Sequence, residues 1–182
     1  MTAHDDIEAI FEAGLPTIEG PSLRLRALRP DDAPAVFELY GDRDANRYGY
    51  QPTMSEVADA ERLIGEIAEL ARKRTLFHWG VARRDDDVII GHATLFKLER
   101  AHHRAEIGYS IRRDHWGRGL GAEAARQLIA FAFDRLDLRR LEADVDPRNA
   151  ASLRMLEKLG FEREGYLRER WELAGELQDA VA

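Results

Sequence analysis

The chain has 182 residues, 45% hydrophobic and 34% charged, with a formal net charge of −7 and no cysteine. That balance fits one soluble domain with a sizeable core, and it excludes a disulfide scaffold, a zinc–cysteine site and a cysteine nucleophile. The acidic balance argues against direct nucleic-acid binding. No stretch approaches the length of an apolar membrane span, and the acidic start M-T-A-H-D-D-I-E lacks the make-up of a secretory signal, so the expected location is cytoplasmic.

In chain order, residues 5–13 read as a short helix ahead of Gly14 and Pro16, within an N-terminal extension, residues 1–20, that is either a docking element or a tail. Leu23, Leu25 and Ala27 alternate with Arg24 and Arg26, which predicts a strand over about 22–29. Pro30-Asp31-Asp32 then starts a helix carrying Val36, Leu39 and Tyr40. Residues 41–54 are irregular. Their Asn46-Arg47-Tyr48-Gly49-Tyr50 either lines an acceptor pocket or packs as a lid, and Tyr48 and Tyr50 are the candidates for substrate contact. With Ser55 as N-cap, a helix is predicted to about Arg74, its apolar side formed by Val57, Ala60, Leu63, Ile64, Ile67 and Leu70. Strands at about 75–83 and 88–98 are joined by the turn Arg84-Asp85-Asp86-Asp87. Ala101-His102-His103 reads as a loop, and its histidines lack a third ligand at helical spacing, so no metal site is expected.

Residues 104–136 organise the rest. Ala105, Ile107, Tyr109 and Ile111 alternate with Glu106, Gly108, Ser110 and Arg112, the period of a strand. From Ala125 a helix carries Leu128, Ile129, Ala132 and Leu136 on one face, with Glu123, Gln127 and Asp134 on the opposite one. Between strand and helix lie Gly117, Gly119 and Gly121. Such a hand-over leaves backbone N–H groups uncovered at the positive end of a helix, which is an anion site, and Arg118 adds a full charge. His115, beside the turn, either touches the anion or caps the strand. No G-K-[ST] follows, so it is not a Walker loop, and the dinucleotide pattern does not fit either.

Further on, Leu141, Ala143 and Val145 alternate with Glu142, Asp144 and Asp146, a strand with one acidic face at about 139–146. Asn149 can N-cap a helix that ends at Gly160 with Leu153, Leu156 and Leu159 inward. A final hairpin is expected at about 161–170 and 175–181.

The segment Trp116-Gly117-Arg118-Gly119-Leu120-Gly121 resembles the acetyl-CoA motif [QR]-x-x-G-x-[GA] of GNAT-type N-acetyltransferases. Trp116 departs from the usual Gln or Arg but is similar to the Rim-type subgroup, which acetylates the N termini of ribosomal proteins. The opening strand L-R-L-R-x-L-R-P-x-D and the run N-x-x-S-x-x-x-L-E-K-L-G-F from Asn149 resemble the same subgroup, so the likeness covers about residues 22–181. It implies an α/β (α+β) GNAT fold in a single domain, residues 21–182. Its mixed, mostly antiparallel central sheet would have about 6–7 strands and about four helices on both faces. The sheet would be splayed between the strands at about 104–113 and 139–146. The resemblance also implies a cofactor, acetyl-CoA, held by Ile111, Arg113, Trp116, Gly117, Arg118, Gly119, Leu120, Gly121, Ala122 and Asn149, without a metal.

Acetyl transfer to an amine needs a fixed thioester, a neutral amine and stabilisation of developing charge. Glu106 is the candidate general base, beside a trough left by the small Gly108 and Ser110; the competing reading is an exposed acid or an ion pair with Arg104. A protein N-terminal amine is roughly a tenth neutral at pH 7 and a lysine less than about a thousandth, so N-terminal substrates need less help. The tyrosine that many members of the family place seven residues after the motif asparagine is absent, Leu156 standing there. Ser152 is the polar group offered in its place, with Tyr109 or Tyr166 as substitutes. The expected function is an acetyl-CoA-dependent N-acetyltransferase acting on a protein N-terminal amine. The alternatives are a small-molecule amine, or a non-catalytic acetyl-CoA-binding module. A homodimer is left open.

Overall fold

A computed structural model describes residues 12, 14–49, 51–73, 76–173 and 175–182, so the helix expected over residues 5–13 falls almost wholly outside the described residues, as does Tyr50. The alternating segments pair into one six-stranded sheet in the order β1 (Ile18–Glu19), β2 (Leu23–Arg26), β3 (Leu76–Arg83), β4 (Ile89–Glu99), β5 (Arg104–Ile111) and β6 (Arg140–Glu142). Every neighbouring pair is antiparallel except β5 and β6, which run parallel. Parallel pairing needs a crossover, and α3 (Leu120–Leu136) supplies it. A separate two-stranded sheet holds β7 (Tyr166–Leu173) and β8 (Glu176–Val181).

The faces of the sheet carry two cores. On one, Phe77, Trp79, Ala93, Leu95, Ile107 and Ile111 meet Leu128, Ala132 and Leu136 of α3 and Leu153 and Leu156 of α4 (Ala150–Lys158). On the other, Ala82 and Ile89 meet α1 (Ala33–Gly41) and α2 (Val57–Arg72) through Val36, Leu39, Tyr40, Ala60 and Ile64. Each fully buried large side chain stabilises the fold by about 1.5–3 kcal/mol; Trp79 also donates from Nε1 to the Pro16 carbonyl at 2.8 Å, so its burial leaves no orphaned donor.

Several boundaries differ from the sequence reading. The N-cap of α2 is Glu56, in a reciprocal box with Asp59; Ser55 instead gives its N–H and hydroxyl to the same Asp59 carboxylate. Glu123 does not face solvent: its Oε1 accepts from the N–H groups of Ser22 and Leu23 at 2.7 and 3.0 Å, tying α3 to the start of β2. Helix α4 stops at Lys158, with Gly160 in the left-handed region at φ +93°. The strand expected from 161 begins only at Tyr166.

The decisive feature is a splay. β6 pairs with β5 only from Arg104↔Arg140 to Glu106↔Glu142, and its continuation leaves the sheet, Val145 bridging to Val181 instead. The Arg112 N–H donates to Ile90, so even-numbered residues of β5 bond to β4 and odd-numbered ones face the other edge. The main chain of Tyr109 and the N–H of Ile111 therefore face an open wedge.

Candidate active site

The turn after β5 is shaped by its glycines. Gly117 and Gly119 have φ of +74° and +76°, a region that side chains disfavour. A Cβ at either would meet nothing within 4 Å, so conformation, not crowding by the protein, calls for glycine there. Gly119 is the N-cap of α3 and offers no side chain to the first turn. Among the described residues the N–H groups of Gly119, Leu120, Gly121 and Ala122 have no acceptor. Arg118 is exposed and makes no ion pair with a described residue. Four free donors at a helix N-terminus, with Arg118 next to them in the chain, form a patch that can hold a diphosphate.

The flanks of this turn are fixed by the protein itself. Trp116, 53% exposed, donates from Nε1 to the Ile111 carbonyl at 2.6 Å. Arg113 pairs with Asp42 and Asp44 at 2.8 and 3.1 Å, and Arg112 with Glu38 and Asp114, so both arginines anchor the turn to the end of α1 and the loop after it. His115 is buried, its Nε2 against Arg112 at 3.2 Å, and burial pulls its pKa below the usual value.

Glu106 and Ser152 come to the wedge from opposite faces of the sheet. Tyr109 points to the α3 and α4 face, where its hydroxyl lies 2.6 Å from Ser152 Oγ. Burial raises the Tyr109 pKa above its ordinary value, and the Ser152 bond partly offsets the rise. Asn149 caps α4 as expected, its side chain accepting from the Ser152 N–H at 3.1 Å. Tyr166 is remote from this pair in its bonding: its exposed ring gives its hydroxyl to Asp179 at 2.6 Å.

Glu106 is 7% exposed on the other face, and its partner is not Arg104 but Lys97, whose Nζ is 2.6 Å from Oε1. Arg104 pairs with Glu99 and Glu142. The trough expected beside Glu106 is filled over Gly108 by Thr94, whose hydroxyl would lie 2.7 Å from a Cβ there and donates to the Gly108 carbonyl. The space near Glu106 lies toward β6 and β7: a cavity of about 310 Å³ bounded by Phe96, Lys97, Glu106, Asp144, Arg170 and Trp171. The sequence reading named the acidic face of residues 142–146 but assigned Asp144 no part in the site. A larger cavity of about 450 Å³, between Phe133, Leu141, Leu156 and Leu167, contains none of the candidate residues.

In the irregular loop, Asn46 is buried against the end of α1, its Nδ2 donating to the carbonyls of Leu39 and Asp42. The Tyr48 ring lies under the guanidinium of Arg47 at 4.6 Å and that of Arg148 at 5.8 Å. Arg148 in turn grips the buried Asp146. This joins the loop to the segment that leads into α4. Among the described residues no group of three His, Asp or Glu side chains could hold a metal.

Residues 22–162 match the family described as Acetyltransferase (GNAT) domain. The chain belongs to the GNAT family. It is thus an N-acetyltransferase, of a family that uses acetyl-CoA as the donor. It is similar to the N-acetyltransferase YoaA of Bacillus subtilis (strain 168), 35% identical over 154 residues, which are 85% of this chain and 87% of YoaA. It is also similar to the [ribosomal protein uS5]-alanine N-acetyltransferase of Escherichia coli (strain K12), 32% identical over 178 residues, covering 94% of this chain and 92% of that one. The crystal structure of a GNAT-family acetyltransferase from Bacillus anthracis superposes with a TM-score of 0.80 at 25% identity, covering 91% of this chain and 95% of that chain. The splay between β5 and β6 is thus the GNAT wedge. No helix of the described residues is long and apolar enough to cross a membrane.

Proposed function

We propose that this GNAT enzyme acetylates the N-terminal amine of a protein, with acetyl-CoA held at the turn after β5. The observation that carries this reading is the wedge itself. It has four free N–H donors at its rim and the Tyr109–Ser152 pair on one face, and Glu106 at its apex on the other. Bound there, acetyl-CoA supplies an acetyl thioester. The N–H groups of Gly119 to Ala122, with Arg118, bind the diphosphate, and the glycines allow it to approach the backbone. The wedge-facing main chain of Tyr109 and Ile111 orients the extended arm. Trp116, by holding the Ile111 carbonyl, and Arg113, by anchoring the turn, keep that edge in place.

Glu106 receives a proton from the incoming ammonium, directly or through water, and its charge in the cavity beside Asp144 attracts that ammonium. Ser152, bonded to Tyr109, delivers a proton to the leaving sulfur; a thiol's ordinary pKa near 8.5 makes a weak acid sufficient. Tyr48, braced on Arg148, lines the entrance on the acceptor side, a role the sequence reading also gave to Tyr50. The similarity to the uS5-alanine enzyme over 94% of the chain supports a protein N terminus over a small amine. So does the chemistry, because an N-terminal amine is far more often neutral at pH 7 than a lysine or a polyamine nitrogen. We further read the enzyme as cytoplasmic, where coenzyme A thioesters and new protein N termini meet, acting without nucleic acid and compatible with a homodimer.

The test is a thiol-release assay with acetyl-CoA across peptides of different first residues and a set of small amines, the acetylated atom being located by mass spectrometry. Peptides acetylated at the first nitrogen should give the highest kcat/KM. A small amine outpacing every peptide would refute the acceptor assignment.

A further inference from the structure

Of the 27 basic residues, only Lys73, Lys97 and Lys158 are lysines. Lys97 sits against Glu106. An arginine would pair with a carboxylate better, through two parallel N–H bonds, and this chain uses arginine almost everywhere else. What lysine offers in its place is an amine that can lose a proton and act as a nucleophile.

The backbone goes out of its way to present that amine. Between Phe96↔Glu106 and Glu99↔Arg104 the register of β4 shifts by one residue, a bulge. Lys97 has φ +49°, in the left-handed region that non-glycine residues rarely adopt. In an unbroken strand Lys97 would point to the face opposite Phe96, toward α3. The bulge instead brings its Nζ within 2.6 Å of Glu106 Oε1, with the lysine side chain 54% exposed and the glutamate 9%. Both line the cavity of about 310 Å³, and Glu106 is the last residue of β5 paired with β6, at the apex of the wedge. The ammonium of Lys97 therefore occupies the position that an acceptor amine must reach.

We propose that Lys97 is itself an acceptor, and that the enzyme acetylates its own Lys97 Nζ from acetyl-CoA. The inference rests on the reading of Glu106 as base and of the wedge as the thioester site. Glu106 takes a proton from the ammonium; the neutral nitrogen then attacks the thioester carbonyl, and a C–N bond forms as the C–S bond breaks. Of the two protons that the nitrogen gives up, one passes through Glu106 to solvent and the other ends on the thiol of coenzyme A. The neutral acetamide no longer balances Glu106, so the modified site presents an uncompensated carboxylate to a cationic acceptor.

The experiment is incubation of the full chain with acetyl-CoA and no acceptor, read by intact mass and peptide mapping. One acetyl group per chain is expected, on Lys97, with Lys73 and Lys158 unlabelled. Lys97→Arg should abolish the label. Glu106→Gln should slow labelling at least roughly a hundredfold, the lower side of what a general base contributes. Glu106→Asp, which draws the carboxylate back from Nζ, serves if the amide variant fails to fold, and should also slow it. No label, a label spread evenly over the three lysines, or wild-type labelling in both Glu106 variants would overturn the inference. Thiol release with peptides, measured on the same samples, separates the two readings. Turnover with Lys97 unlabelled overturns self-acetylation alone, whereas absence of any heat with coenzyme A in calorimetry overturns the functional assignment and this inference with it.

Discussion

Gly119 and Gly121 stand two residues apart, yet alanine should act on them in different ways. Gly121 lies inside the first turn of α3, and a Cβ there would sit 3.6 Å from Met155 Sδ and 3.7 Å from Ile111 Cγ1, ordinary contact distances. Alanine is favoured over glycine in a helix by about 0.5–1 kcal/mol, which for a chain of this size raises Tm by about 1–4 °C. Gly121→Ala should therefore stabilise the ligand-free protein. The acetyl-CoA motif admits alanine at this position, so Gly121→Ala should still bind coenzyme A about as tightly as wild type. At Gly119, where the motif calls for glycine, a Cβ would stand in the open space that the diphosphate is proposed to fill; losing one charge-assisted hydrogen bond costs about 1.5–3 kcal/mol, so the Kd for coenzyme A should rise roughly ten- to a hundredfold in Gly119→Ala. Gly119→Ala meets no steric obstacle but must hold φ +76°; the left-handed region costs about 1–2 kcal/mol, lowering Tm by about 2–8 °C. The assay pairs thermal melts without ligand with calorimetric titration of coenzyme A. A Gly121→Ala protein that melts below wild type would refute the packing argument. A Gly119→Ala protein that binds coenzyme A as tightly as wild type would refute close approach of the ligand to this backbone.

Glu106→Gln should reduce kcat/KM by about 10²–10⁴-fold; a variant as active as wild type would exclude Glu106 as the base. Ser152→Ala breaks the bond to Tyr109. It should lower kcat about tenfold or more with KM for the acceptor unchanged, and adding Tyr109→Phe should bring little further loss if the two act as a unit, which a double-mutant cycle measures. A packed histidine pair, His78 buried and His92 half-buried, makes stability depend on pH. His92, stacked between Tyr40 and His78, has its pKa lowered by burial to about 4, and burial pulls His78 down as well. Both bind protons more readily when unfolded, so their contribution is intact above the unfolded value near 6.5 and is lost as pH falls through the folded one. For His92 the loss amounts to about 3 kcal/mol, visible in urea melts between pH 7 and 4 and reduced in His92→Gln; equal slopes for the two proteins would refute it.

Much of this architecture is local in origin and was legible in the chain. Period-2 alternation from Ala105 located β5, and the turn at residues 84–87 separated β3 from β4, each to within a residue or two, because pleat and turn chemistry are set by near neighbours. The cap at Asn149 needed only its own side chain and the N–H three residues on. The glycine turn was readable because a strand, a run of glycines and a helix fix unpaired amides wherever they occur. The parallel splay came from family resemblance, since no local pattern states which strands pair.

What sequence could not supply were contacts made across the fold. Alternation assigns Lys97 to the wrong face, because a bulge is one inserted residue whose position is set by how β4 and β5 finally pair. Glu123 looks solvent-facing on a helical wheel, but β2, a hundred residues earlier, brings two N–H groups to it. The strand predicted from 161 begins at 166, since the Glu164 and Gly165 N–H groups are drawn to the Ala182 carbonyl. By itself, then, the sequence determined the alternating strands, the amphipathic helices and the bare amides between them, each the product of near neighbours. Only the tertiary structure decided which cation faces Glu106, which hydroxyl meets Ser152 and where the cavity beside Glu106 opens, because such long-range pairings are fixed when the whole sheet closes.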